Sequence, residues 1–396
     1  MRIEQIRLKN FKAFQNAIVK DIPPFAVFVG ANGSGKSTLF DVFGFLRDCL
    51  KDNVRSALAR RGGFREVVTR GHGTETIEIE LKIRAPLKIG ERTVTYLVEI
   101  GSRNGVVSVT REQLRYARFG GGKPYDFLRF ENGEGEAIRN EAELASPQGT
   151  VDRETQRLES PDILAIKGLG QFQRFEAASA LRNLIERWHV SDFDIDAARP
   201  MPDAGFAEHL STQGENLALV AKYLRENHPS VFQGILKAMA ERVPGLTTVE
   251  ANVTEDGRII LRFTDGSFKD PFDVRFVSDG TIALFAYLVL LYDPNAPPLL
   301  CLEEPENRLY LETLGSLAED CQTYSRRGGQ IFVSTHSPDF VDEAPLDSIF
   351  WLQKQKGLTT VRRARDDARL KAWAASGERL GALWRQGAFA GASSNV

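Results

Sequence analysis

An α/β fold with a parallel core sheet is what this sequence predicts, on three observations. Residues 25–39 read FAVFVGANGSGKSTL, an apolar run that stops at Gly30 and passes through a glycine-rich turn into a helical pattern. Residues 298–302 and 330–334 are largely apolar, as strands covered on both faces are. Residues 76–83 and 93–98 show period-two alternation, with β-branched side chains, and read as antiparallel sheet.

The chain has 396 residues, 42% hydrophobic and 26% charged, which is an ordinary globular composition with room for more than one lobe. A formal net charge of -2 supplies no global basic field, so any contact with nucleic acid has to use a local patch. Cys49, Cys301 and Cys321 form no CxxC pair and read as reduced thiols of a cytoplasmic protein. The opening MRIEQIRLKNFKAF lacks the apolar core and cleavage site of a secretory signal. Residues 282–292, the longest apolar run, are too few to span a bilayer, so no membrane segment is expected.

Taken in order, residues 2–8 alternate and a second strand follows near 18–19. A helix is expected from about Ser37 to about Leu58, stopped by Arg60-Arg61-Gly62-Gly63. Sheet continues over 64–130 with a hairpin at 101–105, and then residues 131–161 turn to Gly, Glu, Gln and Ser and read as an exposed segment. Helical spacing returns over 175–188 and 215–243, interrupted where Pro229 starts a new helix. A hairpin is expected around Glu255-Asp256-Gly257. The division that follows is 1–160, an N-terminal lobe; 161–245, a helical subdomain; 246–363, a C-terminal lobe; and 364–396, a helical tail.

The chemistry lies at the ends of the apolar strands. Gly30, Gly35, Lys36 and Ser37 satisfy G-x-x-x-x-G-K-[ST]. Glycines at 30, 33 and 35 let the backbone curl with its N–H groups inward, an anion cradle that also includes Asn32, Ser34 and Thr38. Lys36 then meets the β- and γ-phosphates as a point charge, and the Ser37 hydroxyl takes a place around Mg²⁺. The strand at 299–302 runs into Glu303 and Glu304, a costly pair at a buried strand end without a cation or a water. Glu303 is read as holding Mg²⁺ and Glu304 as polarising the attacking water, against the plainer reading of a solvated charge pair. The strand at 330–335 delivers His336, which can donate to a γ-phosphate, with Ser334 and Thr335 in supporting polar roles. Ser278 and Gly280 open an apolar helix, which by itself is either a cap or a second phosphate-facing N-terminus.

In this order the early Phe11-Lys12, GANGSGKST, SDGT, CLEEPEN and STHSP resemble ABC-type ATPases of the SMC, RecF and OLD group. The resemblance implies a P-loop NTPase fold: an ABC-type ATPase head with an N-terminal antiparallel β lobe, a helical subdomain and a RecA-like core sheet. It implies an ATP-dependent homodimer or higher oligomer, each ATP lying between one head's phosphate loop and the other's signature, so that Ser278 and Gly280 act in trans. Glu303 stands where the family usually has aspartate, Tyr310 where relatives often have histidine, and SDGT replaces the transporter pattern LSGGQ. Gln171 and Gln173 are the candidates for the family's glutamine loop.

Neither long coiled-coil arms nor a Toprim nuclease domain is visible in the sequence, which therefore resembles compact ATPases found beside a separate effector, a nuclease or toxin, in anti-phage defence operons. The function implied is an ATP-hydrolysing head that dimerises and switches a DNA- or effector-bound complex; the alternative is a nucleotide-dependent scaffold with little turnover. Double-stranded DNA contact is assigned to Arg60, Arg61, Arg65 and Arg70, to Arg326 and Arg327, or to Arg362, Arg363, Arg365, Arg369 and Lys371; the plainer reading is solvated helix ends. In the tail, Leu380, Leu383, Trp384 and Phe389 either pack on the chain's own core or dock a partner.

Overall fold

Alternating side chains fold the first part of the chain into a sheet whose strands pair antiparallel throughout. β1 (Arg2–Phe11) and β2 (Phe14–Val19) form a hairpin, and β3 (Phe25–Val29) leads through the glycine turn to α1 (Lys36–Lys51), α2 (Val54–Ala59) and α3 (Phe64–Val67). β4 (Ile77–Leu87), β5 (Gly90–Arg103), β6 (Val106–Tyr116), β7 (Tyr125–Glu131), β8 (Glu134–Ile138) and β9 (Arg153–Arg157) follow. The order across the eight-stranded sheet is β2-β1-β4-β5-β6-β7-β8-β9. In β4, Ile77, Ile79, Leu81, Ile83 and Ala85 are all buried, as the period of two requires. The computed structural model describes residues 1–87, 90–117, 124–141 and 151–389.

Three expectations change here. The sheet expected from residue 64 resumes only at Ile77, after the short helix α3. The helix expected over 37–58 is broken: the backbone leaves helical geometry at Asp52, and the Asn53 side chain accepts the Ser56 N–H to cap α2 afresh. Residues 131–161 are not simply an exposed segment. β8 pairs with β7 and with β9 through a backbone ladder that needs few buried side chains, so a polar composition concealed it. Residues 142–150 of that span lie outside the described residues.

Two helices close this part, α4 (Ala165–Leu169) and α5 (Glu176–Glu186), and remote carboxylates cap both. Glu112, fully buried in β6, accepts the N–H groups of Ala165 and Ile166 and the Tyr96 hydroxyl. Burial pushes the Glu112 carboxyl up to about 7 in spite of these donors. Glu141 likewise accepts the Ala177 N–H at 2.9 Å and the Tyr116 hydroxyl at 3.1 Å.

The chain then builds a second unit. β10 (His189–Ser191), α6 (Ile195–Ala198), α7 (Leu217–Asn227) and α8 (Pro229–Arg242) precede a hairpin of β11 (Leu246–Val253) and β12 (Ile259–Asp265), edged by β13 (Phe272–Asp273). α9 (Asp279–Leu291), β14 (Leu299–Glu303), α10 (Leu311–Arg326), β15 (Gln330–Thr335) and α11 (Pro338–Asp342) complete it. β10, β14 and β15 are parallel neighbours, and every residue of α9 from Ile282 to Leu291 is buried, so that helix is apolar all round. The chain returns to the first unit as β16 (Ile349–Gln355), parallel to β3, then β17 (Leu358–Arg363), antiparallel to β16, and α12 (Ala368–Ala375).

Two units result: Met1–Trp188, Leu346–Glu378 and the residues from Gly387; and His189–Pro345 with Arg379–Gln386, which carries α13 (Leu380–Arg385). Residues 161–245 divide between them after Trp188. All three cysteines are buried and free. Among the described residues no helix is long and apolar enough to cross a membrane.

Candidate functional site

In the first unit, the phosphate loop is shaped by close approach. A Cβ on Gly30 would stand 2.3 Å from Ser34 Oγ and 2.9 Å from the Leu352 carbonyl oxygen, and Gly35, at φ +105°, would meet Thr359 Oγ1 at 2.8 Å. Gly33, at φ +75°, has open space where a side chain would be. α1 therefore starts from a left-handed residue with no side-chain cap, which leaves its first N–H groups aimed into the loop. Lys36 is 3% exposed, and its Nζ donates to the carbonyls of Gly30 at 2.7 Å and Ala31 at 3.3 Å, so the loop wraps around the ammonium. Ser34 Oγ is buried without a hydrogen-bond partner. An uncapped helix start, an enclosed ammonium and an orphaned hydroxyl are what a phosphate group would satisfy. Ser37 is exposed one residue beyond Lys36.

One residue that sequence reading missed holds this loop in place. Thr359, in β17, donates from Oγ1 to the Ser34 carbonyl at 2.8 Å, and its own N–H goes to Ala13 at 2.8 Å. Nothing in the local pattern of β17 marks it; a contact 325 residues away in sequence does. Gln171 is exposed and donates to the Lys167 carbonyl, and Gln173 is exposed as well.

The second unit gathers the acidic and histidine candidates. β14 buries Leu299 to Leu302 and ends at the half-buried Glu303. Glu304 then turns the chain with a left-handed backbone, φ 41° and ψ 58°, which for a residue with a Cβ costs on the order of 1–2 kcal/mol. Its N–H is fixed by the Ser334 carbonyl at 2.9 Å, and its Oε2 accepts from Asn307 Nδ2 at 2.9 Å. His336 Nδ1 lies 3.9 Å from that same Oε2. Glu303, Glu304 and His336 thus share the carboxyl edge of two paired parallel strands.

Glu306 stands behind this edge. Its Oε1 accepts the His336 N–H at 2.7 Å and the Thr335 hydroxyl at 2.8 Å, with its side chain only 4% exposed. The sequence offers a signal for it, since a third acid just past a buried strand has to find donors. Ser278 caps α9, its Oγ accepting the Thr281 N–H, and a Cβ on Gly280 would lie 3.6 Å from the Tyr310 ring. Arg199 fixes the approach to Ser278: it donates to the carbonyls of Val274, Arg275 and Val277 and to the Asp279 carboxylate. No sequence signal points to Arg199, because the guanidinium reads backbone oxygens.

Several arginines offered above as a DNA face are engaged with neighbours. Arg60 pairs with Asp48 and Asp52, Arg61 with Asp41 and Asp48, Arg70 with Glu66, Arg365 with Asp21 and Arg369 with Asp367. Arg363 and Arg327 donate to backbone carbonyls, of Asp347 and Leu291. The tail packs on its own core: Leu380, Leu383 and Phe389 are buried.

Comparison with known proteins fits this geometry. The family described as "AAA domain, putative AbiEii toxin, Type IV TA system" matches residues 25–342. The DNA replication and repair protein RecF of Renibacterium salmoninarum is 32% identical over 89 residues, a stretch that covers 22% of each chain, so the match reaches only about a fifth of that relative. Among solved structures, the SmcHead bound to the C-winged helix domain of ScpA aligns with a TM-score of 0.56 at 15% identity, covering 91% of this chain and 97% of that one. The Smc head domain with an extended coiled coil, bound to the C-terminal domain of ScpA derived from Pyrococcus furiosus, aligns at 0.52 and 14%, covering 95% and 99%.

Proposed function

Because the chain belongs to this AAA-domain family and shares the fold of SMC head domains, we propose that it is an ABC-type ATPase of the SMC and RecF group, which binds and hydrolyses ATP and uses the cycle to close and open a dimer of heads. Gly30, Asn32, Gly33, Ser34, Gly35 and Thr38 cradle the phosphates, and Lys36 exchanges its loop carbonyls for β- and γ-phosphate oxygens. Ser37 and Glu303 are the residues that would hold Mg²⁺, which when bound neutralises charge across those phosphates. Among the described residues no cluster of three or more His, Cys, Asp or Glu could hold a metal ion. Glu304 orients the attacking water and draws its proton, and His336 donates toward the γ-phosphate.

The observation that carries this reading is the strained Glu304. A left-handed backbone at a non-glycine residue persists where neighbours over-determine it, and here the Ser334 carbonyl holds the Glu304 N–H while Asn307 holds its carboxylate, 3.9 Å from His336 Nδ1. The dimer is supported by exposed apolar side chains flanking the signature: Phe276 is 78% exposed, Tyr310 75% and Leu311 62%. Ser278 and Gly280 would complete the partner's nucleotide site from that face. The partner effector, nuclease or toxin, and double-stranded DNA belong to the same proposal, as does the division into lobes at 160, 245 and 363.

The test is Mg·ATP hydrolysis by the purified protein, with and without duplex DNA, alongside light-scattering mass. ATP should raise the mass, and Glu304→Gln should lock the heavier species while abolishing turnover. Absent hydrolysis with a mass indifferent to ATP would overturn the motor and leave the scaffold.

A further inference from the structure

The peptide groups on both sides of His336 are held by side chains from two remote parts of the chain. β15 ends at Thr335, so no strand ladder is left to satisfy the next backbone groups. The His336 N–H goes to Glu306 Oε1 at 2.7 Å, and the His336 carbonyl accepts from Trp384 Nε1 at 3.0 Å. His336 Nδ1 lies 3.0 Å from the same Glu306 oxygen. The Thr335 hydroxyl donates to that oxygen and accepts the Ser337 N–H at 2.9 Å, which ties the turn on itself.

Trp384 is itself placed by a close fit. It sits on α13, whose Gly381 N–H donates to Asp342 Oδ1 at 2.6 Å. A Cβ on Gly381 would stand 2.0 Å from the Pro338 carbonyl oxygen, so only glycine lets the two backbones approach this closely. Leu380 and Leu383 are buried on the same helix. The segment Arg379–Gln386 belongs to the second unit, whereas the residues before and after it belong to the first. A short piece of tail within the second unit thus bonds the peptide of a candidate catalytic residue.

We propose that Glu306 and Trp384 are positioning residues that clamp the main chain of His336, and that α13 thereby regulates turnover at the γ-phosphate end of the site. The proposal rests on the ATPase reading above. With both contacts made, the His336 main chain is held in one place, with its imidazole beside Glu304. When α13 lifts, the carbonyl loses its donor, the turn rotates and turnover falls although ATP remains bound.

The experiment measures kcat and KM for Mg·ATP in wild type, Glu306→Ala, Glu306→Gln and Trp384→Phe. Glu306→Ala removes the acceptor and should lower kcat about 100-fold with KM little changed, as a misplaced catalytic group does. Glu306→Gln keeps an oxygen for the His336 N–H and the Thr335 hydroxyl and should recover most of that loss. Trp384→Phe keeps an aromatic ring, smaller than the indole, but not the donor, and should lower kcat roughly tenfold or less, the effect of one neutral hydrogen bond. Hydrogen exchange on the wild-type chain supplies a readout independent of whether the variants fold: the His336 amide should exchange slowly. Wild-type kcat in Trp384→Phe and Glu306→Ala, a loss that tracks KM and melting temperature alike, or a freely exchanging His336 amide would overturn the clamp. A wild-type protein without any hydrolysis would instead overturn the ATPase reading, so the two failures are told apart.

Discussion

The phosphate loop and the Glu304–His336 edge are built by opposite means. The loop at 30–37 is shaped by its own backbone: glycines at required positions, an uncapped helix start, and a lysine folded onto carbonyls five and six residues away. The edge is shaped by side chains that converge from distant sequence: Glu306 and Asn307 after β14, Thr335 at the end of β15, and Trp384 from the tail. A local device can be read from a motif, because spacing alone fixes its geometry. A convergent one cannot, because each partner is an ordinary residue until the fold brings it near.

Substitutions can test that contrast. The largest effect is expected at the edge: Glu304→Gln should cut kcat by about 10³-fold or more, since it removes the group that activates water, while nucleotide binding persists. Steady-state hydrolysis beside equilibrium binding of a fluorescent ATP analogue checks both halves. Loss of binding together with turnover would make the edge a structural prop and erase the distinction.

The next effect lies away from the site, where Glu112 repeats the convergent device by capping α4 from β6. Its folded carboxyl titrates at about 7, against about 4.5 unfolded, so the protonated form is favoured by folding. Its stabilising contribution is complete below pH 4.5 and is lost as pH rises through 7, by at most about 3 kcal/mol. Urea unfolding at pH 5 and pH 8 should show a fall in stability for wild type that Glu112→Gln flattens. An identical slope in both proteins would mean that Tyr96 and the two amides already hold the charge without cost.

A smaller effect is expected from crowding the loop. Gly30→Ala puts a methyl against Ser34 and the Leu352 carbonyl, and of these only the serine side chain can rotate away. Destabilisation of about 1–3 kcal/mol with weakened ATP binding is expected, read by thermal melts with and without nucleotide. Smallest of all, Thr359→Val should cost about 1 kcal/mol and raise KM for ATP a few-fold, because one hydrogen bond to the Ser34 carbonyl is lost. If Thr359→Val equals or exceeds Gly30→Ala, the loop too depends on remote support, and the contrast narrows.

Much of the molecule was legible beforehand for the same reason that the loop was. The apolar runs at β3, β14 and β15 announced strands buried on both faces, and Glu303, Glu304 and His336 were found because a strand end places whatever follows it. Strand pairing at β8 and β9 was not legible, since the ladder joins backbones and leaves polar side chains outside. The basic runs were legible only in part: charge was visible, but the acids that pair Arg60, Arg61 and Arg365 were not.

The sequence by itself therefore determined the α/β class, the phosphate loop and the acidic and histidine strand ends, because periodicity and glycine geometry act within a few residues. Only the tertiary structure decided that Thr359 anchors the loop, that Arg199 sets the approach to Ser278, and that Glu306 and Trp384 grip His336. Each of these is a hydrogen bond to a backbone group. Any donor or acceptor at the right distance can make such a bond, so only the folded chain can say which residue does.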